Sequence, residues 1–163
     1  MSHDLSASQP MGLMPTVLFV DDEPSNRQAF LSSFRRHFHV ILASDLAEAM
    51  KFLDSGGVDV LIADQRMPGT PGSDLLAIVR DRYPSVRRML MTAYADIQAV
   101  IDAINLGGAS QYIPKPWDPQ HVLNAVRRAF TELRRDQEQA AFTQQLIESN
   151  RQLEFALRQA LLS

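Results

Sequence analysis

The chain contains no cysteine, which removes disulfides, thiol nucleophiles and thiolate metal sites at once. That absence agrees with a reducing, cytoplasmic setting. No apolar run approaches the roughly 20 residues needed to cross a bilayer, and the opening Met1-Ser2-His3-Asp4-Leu5-Ser6 has neither the basic nor the apolar region of a signal peptide. A soluble protein with no membrane partner is expected. Charge of one sign is missing too: 16 basic against 19 acidic residues leave −3, so nothing draws the whole chain to nucleic acid. The Arg127-Arg128 and Arg134-Arg135 pairs are diluted by Glu132, Asp136 and Glu138, and a salt-bridged helix face is expected there rather than direct nucleic-acid contact. His37 and His39 have no third ligand in the pattern, and surface positions are expected for both. From Gln120 to Ser163 there is neither glycine nor proline, so nothing in that stretch breaks a helix.

What is present fits one domain with a real core and a modest extension, in 163 residues. Residues 1–14 are Ser-, Pro- and Met-rich without periodicity and are expected to form a flexible tail. Thr16-Val17-Leu18-Phe19-Val20 reads as a strand buried on both faces, stopping at Asp21-Asp22-Glu23. Pro24 suits a first helical turn, and Phe30, Leu31, Phe34 and Phe38 fall on one helical face. His39 to Ala43 is a weaker strand. Asp45 and Glu48 have capping-box spacing before a helix carrying Leu46, Ala49, Met50 and Leu53, ended by Gly56-Gly57.

The stretch Val58 to Gly69 is the centre of the chain: an apolar run ended by a single carboxylate, Asp64, and then a Pro68-Gly69 turn. Ser73 is expected to cap a helix burying Leu75, Leu76 and Val79. Arg87 to Thr92 is a fourth strand, and a helix from about Asp96 puts Ile97, Val100, Ile101 and Ile104 on one side. Gln111-Tyr112-Ile113 is a fifth strand, with Lys115 just beyond it, and Asp118-Pro119 starts a last helix.

Strands alternating with helices predict an α/β fold, a doubly wound five-stranded parallel sheet covered on both faces. Right-handed crossovers then collect Asp21, Asp22, Asp64, Thr92 and Lys115 at one rim. Converging carboxylates repel, and full ionisation is tolerable only with a cation among them. A hard divalent ion suits oxygen ligands, Mg²⁺ first. With charge neutralised, an Asp64 oxygen can attack a phosphoryl group in line, Thr92 can donate a hydrogen bond to it, and Lys115 can pair with its charge.

The segments Phe19-Val20-Asp21-Asp22-Glu23-Pro24, Asp64-Gln65-Arg66-Met67-Pro68-Gly69, Met91-Thr92-Ala93-Tyr94 and Tyr112-Ile113-Pro114-Lys115-Pro116-Trp117 resemble the motifs of the receiver domain of bacterial two-component response regulators. The resemblance covers residues 15–135. It implies a flavodoxin-like sheet of order 2-1-3-4-5, Asp64 as phosphoacceptor, and Mg²⁺ bound by Asp22, Asp64 and the backbone carbonyl of Arg66, with Asp21 acting through water. It further implies a Thr92–Tyr112 switch pair, room beside the phosphoryl group at Ala93, a cis Lys115-Pro116 peptide, and a histidine kinase or phosphotransfer protein as partner. The acceptor segment together with Trp117 is similar to receivers of hydrogenase-type transcription activators, HD-GYP phosphodiesterase regulators and some hybrid kinases. Gln65 and Arg66 flank the acceptor where that family varies, and the long Arg66 side chain is placed to affect access of water.

Residues 136–163 form a helical extension, read either as a coiled coil or as a linker to an output domain. Leu146, Asn150, Leu153, Leu157 and Ala160 have seam spacing, with Asn150 placed to set register, and a homodimer is expected through them. Upstream, Thr143, Gln139 and Asp136 break that pattern. Three other readings compete. A flavodoxin-type carrier needs a phosphate-cradling loop where Asp21-Asp22-Glu23 stands. An aspartate phosphatase needs a second acid where Gln65-Arg66 stands, so no turnover enzyme is expected. The third is a phosphorylation-independent pseudo-receiver acting as a dimerising scaffold.

Overall fold

A computed structural model describes residues 13–93 and 95–163; the expected tail lies, as far as residue 12, outside the described residues. Five strands alternate with five helices: β1 Thr16–Val20, α1 Pro24–Phe34, β2 His39–Ala43, α2 Leu46–Asp54, β3 Val60–Asp64, α3 Gly72–Arg82, β4 Arg87–Ala93, α4 Ile97–Asn105, β5 Gln111–Lys115 and α5 Pro119–Leu162. All pairings are parallel, in the order β2-β1-β3-β4-β5, as the resemblance implied. The chain divides into two compact units, one ending at Phe130 and one running from Thr131 to Ser163.

The sheet sorts its side chains by the two-residue period of a strand. On one face Val17, Phe19, Val60, Ile62, Met89, Met91 and Ile113 pack with Phe30 and Phe34 of α1, with Phe38 beyond it, and with Val122, Ala125 and Val126 of α5. Phe19 and Phe30 stack with centroids 4.2 Å apart and ring planes 3° from parallel, and Trp117 meets Phe34 at 5.3 Å. On the other face Leu18, Val20, Leu61, Ala63 and Leu90 pack with Ala49 and Leu53 of α2, with Leu75, Leu76 and Val79 of α3, and with Ala103 of α4. Each central strand is therefore apolar on both sides, which is why β3 reads as an unbroken apolar run.

Several local expectations are corrected. Ser73 does not cap α3: the helix begins at Gly72 with Pro71 at its N-cap, and the Ser73 amide instead donates to Gln65 Oε1 at 2.8 Å. Asp45 does cap α2, accepting from the Glu48 amide, but Glu48 returns its bond to the Ser44 amide rather than to Asp45. At α4 the isoleucines share one side, as the spacing implied, and that side meets solvent: Ile97, Ile101 and Ile104 are exposed, Ile97 at 62 %, and only Ala103 is buried. A small residue at the contact lets the helix lie close to α3, and the isoleucines are turned outward.

In the second unit, α5 continues without a break from Thr131 to Leu162. Leu146, Leu153 and Leu157 are exposed there, as are Phe142, Ile147 and Phe155. Among the described residues no helix is long and apolar enough to cross a membrane.

Two glycines shape the acceptor loop. Gly69 has φ +84°, the left-handed region that L side chains avoid. Gly72 matters through space: a Cβ there would run into the Asp64 carbonyl and stand 2.9 Å from Leu90 Cδ1. Gly72→Ala is therefore expected to lower stability by about 1–3 kcal/mol, the usual cost of forcing an atom into a packed core. Urea unfolding of the two proteins measures it, and an unchanged midpoint would show that the β3 end yields freely.

Candidate functional site

Strand exits build the site. β1 ends at Val20, and the next residue, Asp21, still donates its amide to the Ala43 carbonyl at 3.1 Å, so the chain leaves the sheet with Asp21 buried and Asp22 half-buried. β3 ends on Asp64, in register with Met91 of β4. Thr92 and Ala93 lie in register with Pro114 and Lys115 of β5. Parallel pairing thus puts every one of these ends on the same edge of the sheet, where α/β folds bind ligands.

Asp21, Asp22 and Asp64 each present a carboxylate oxygen within 4.8 Å of the others. Asp64 is 3 % exposed and forms an ion pair with the Lys115 ammonium. Asp21 is fixed from three sides. Its Oδ1 accepts from the Glu23 amide at 2.9 Å, its Oδ2 from Asn26 Nδ2 at 3.0 Å, and its carbonyl from Arg27 Nη1 at 2.7 Å. A cavity of about 270 Å³ opens beside it, lined by Asp21, Asn26, Met91, Lys115, Pro116 and Trp117. The Lys115-Pro116 peptide that leads out of β5 is cis, as implied by the resemblance.

Burial is the main influence on the Asp64 carboxyl and pushes it above the ordinary carboxylate value. The Lys115 hydrogen bond and charge oppose this, and the negative charges of Asp21 and Asp22 reinforce it. Three carboxylates against one ammonium leave a formal −2 in a small volume. Hard oxygen donors at this spacing, with more negative charge than Lys115 balances, fit a divalent cation of the Mg²⁺ kind.

The expected residues do not all meet. Asp21, Asp22, Asp64 and Lys115 come together. Thr92 is buried at the end of β4, its hydroxyl 3.4 Å from the Ala93 carbonyl and 3.4 Å from Asp96 Oδ2. Tyr112 is exposed on β5, outside this buried group. The Arg66 side chain points into solvent and pairs with Asp96, Nε to Oδ2, at 3.1 Å. Asn26, Arg27 and Asp96 were not anticipated from the sequence. Asn26 and Arg27 carry no motif signal beyond their place in the first turns of α1, and Asp96 read as an ordinary helix start.

Comparison with known proteins agrees with this geometry. The chain is 40 % identical over 114 residues to the hydrogenase transcriptional regulatory protein HoxA of Cupriavidus necator, a match covering 70 % of this chain and 24 % of that protein. It is 34 % identical over 134 residues to the DNA-binding transcriptional regulator NtrC of Proteus hauseri, covering 82 % and 28 %. The chain therefore corresponds to about a quarter of the length of these relatives. Among solved structures, the signal receiver domain of an HD domain-containing protein from Pseudomonas fluorescens Pf-5 superposes with a TM-score of 0.73 at 32 % identity, covering 77 % of this chain and 93 % of that one. Residues 17–127 match the response regulator receiver domain, and with strand order, acidic cluster and lysine all in agreement, the chain belongs to the response regulator receiver family.

Proposed function

We propose that the chain accepts a phosphoryl group on Asp64 from a histidine kinase or phosphotransfer protein, in the presence of Mg²⁺, and changes state to control an output. One observation carries this reading: a buried carboxylate at a strand end stands among two further acids and a lysine, all delivered by separate strand exits. Asp21, Asp22, Asp64 and the backbone carbonyl of Arg66 would hold the ion, Asp21 through water. When bound, the ion supplies charge neutralisation for the carboxylates and the transferring oxygens.

In the transfer, an Asp64 carboxylate oxygen attacks phosphorus in line, the phosphorus–nitrogen bond to the donor imidazole breaks, and the imidazole leaves as the nitrogen regains a proton from solvent. The product is an acyl phosphate. Lys115, already paired with Asp64, turns its charge to the new phosphoryl oxygens. Thr92 donates its hydroxyl proton to the phosphoryl group, Ala93 leaves room beside it, and Tyr112 turns inward. The two states then differ on the surface of α4, β5 and α5, and a partner that prefers one of them shifts the population.

The names of HoxA and NtrC favour transcription as the output class, with the receiver, residues 15–135, acting in the cytoplasm and residues 136–163 passing the signal on. The exposed Leu146, Leu153 and Leu157, with Asn150 between them, support a homodimer through that extension. The same exposed seam is what favours the second reading, a scaffold that assembles without phosphorylation.

Incubation with acetyl phosphate and Mg²⁺ is expected to add the mass of one phosphate to the wild type and none to Asp64→Asn; an unmodified wild type would sink the phosphoacceptor reading. Light scattering on a chain ending at residue 135 is expected to show a monomer where the full chain is a dimer, and equal masses would remove the role of the extension. A pH effect follows from burial. Because the folded protein holds the Asp64 carboxyl above 3.8, the unfolded chain gives up this proton more easily. The stabilising contribution of protonated Asp64 is thus present below the unfolded value and lost as pH rises through the raised folded one. In metal-free buffer Asp64→Asn should melt above the wild type at pH 7, and the gap should close as pH falls toward 3.8. A gap that widens on acidification would show that the Lys115 pair outweighs burial.

A further inference from the structure

We propose that Asp96 is a catch: in the unmodified protein its carboxylate holds Arg66 and Thr92 together, and it must release Thr92 before that hydroxyl can serve a phosphoryl group. The inference rests on the reading of Asp64 as phosphoacceptor and names the contact that opposes it.

Asp96 Oδ2 takes both contacts, Arg66 Nε at 3.1 Å and Thr92 Oγ1 at 3.4 Å. Three segments are thereby tied at one oxygen: the loop after β3, the end of β4 and the start of α4. The position makes this unusual. Asp96 is the N-cap of α4, where an aspartate ordinarily accepts a bond from a first-turn amide, yet its side chain makes no capping bond. The carboxylate has been diverted from its own helix.

The two uses of Thr92 exclude each other, because a threonine hydroxyl has one proton to donate. While it is shared between Asp96 Oδ2 and the Ala93 carbonyl, each 3.4 Å away, it does not go to a phosphoryl oxygen, and Asp96 is the charged one of these two acceptors. Release also has somewhere to lead: a freed Asp96 carboxylate can take up the unfilled cap of α4, so both states employ the same group. The far end of α4 is held differently. Arg80 Nη1 donates to the Leu106 carbonyl at 3.0 Å, and Arg88 donates to the Gly107 and Gly108 carbonyls at 2.8 and 3.3 Å. Those bonds fix the C-terminal end, whereas the body of the helix buries only Ala103. The start of α4 is accordingly the end free to respond.

Two measurements test the catch, and one of them needs no phosphate. In unmodified Arg66→Ala, hydrogen exchange at the Asp96 and Val100 amides, which donate to the Ala93 and Asp96 carbonyls, is expected to be roughly three- to tenfold faster than in the wild type, the scale of one partly exposed charge-assisted contact. With acetyl phosphate and Mg²⁺, Asp96→Ala and Arg66→Ala are each expected to gain phosphate faster by a similar factor. The double variant should be no faster than Asp96→Ala alone, since Asp96→Ala already removes the contact that Arg66 makes. Asp96→Asn keeps the shape and controls for folding, and it should lie between the wild type and Asp96→Ala. Unchanged exchange in Arg66→Ala, or fully additive rates in the double variant, would overturn the catch. A wild type that takes no phosphate would instead overturn the phosphoacceptor reading, and the exchange experiment would still decide whether the catch exists.

Discussion

A carboxylate hidden at the end of a strand is the constraint from which the rest of the molecule follows. Asp64 sits behind four buried apolar residues of β3, with Lys115 against it and two more acids within reach. Ionisation there is opposed by burial and by neighbouring negative charge, so the arrangement persists only because the surrounding fold holds it. The stacked Phe19 and Phe30 pin β1 to α1, and three hydrogen bonds from the start of α1 then fix Asp21. Gly72 lets α3 approach the very carbonyl of Asp64. Core packing on both sheet faces ends, in each case, at a group that belongs to the site.

The two faces of the sheet have different jobs. One face is covered by the interlocked rings of α1 and Trp117 and by the aliphatic start of α5, a packed wall on the side of Asp21 and Lys115. On the other face α4 is attached lightly, by Ala103 and by arginine bonds to the carbonyls just past its end, and shows isoleucines to solvent. Regions with few buried apolar contacts are the ones that open at low free-energy cost. In the proposed switch, a helix so held, beginning next to Thr92, is the element that responds to a change at Asp64. Burial of the isoleucines would have stabilised the domain and held this helix more firmly.

The same contrast separates what could be read from the chain alone from what could not. β1 and β2 were legible to the residue, and β3 to its final Asp64, because apolar runs ended by acids or turn residues mark strands buried on both faces. Pro24, Asp45 and the Asp118-Pro119 pair marked helix starts for equally local reasons. The acidic residues and Lys115 were legible as a group because parallel topology leaves strand ends no other edge to occupy.

The direction in which α4 faces was not legible, because its periodicity shows that Ile97, Ile101 and Ile104 share a face, and periodicity is the same whether that face meets the core or water. Ser73 was misread because a cap depends on backbone angles that Pro71 and Gly72 set first. The sequence by itself determined the elements, their parallel pairing and the chemistry gathered at their ends, since these depend on local propensity and topology; the strand order came from the family resemblance. Only the tertiary structure decided which way α4 faces, what fixes Asp21, and that Asp96 spends its carboxylate on Arg66 and Thr92. Those are contacts between segments distant along the chain, and the composition of either segment does not contain them.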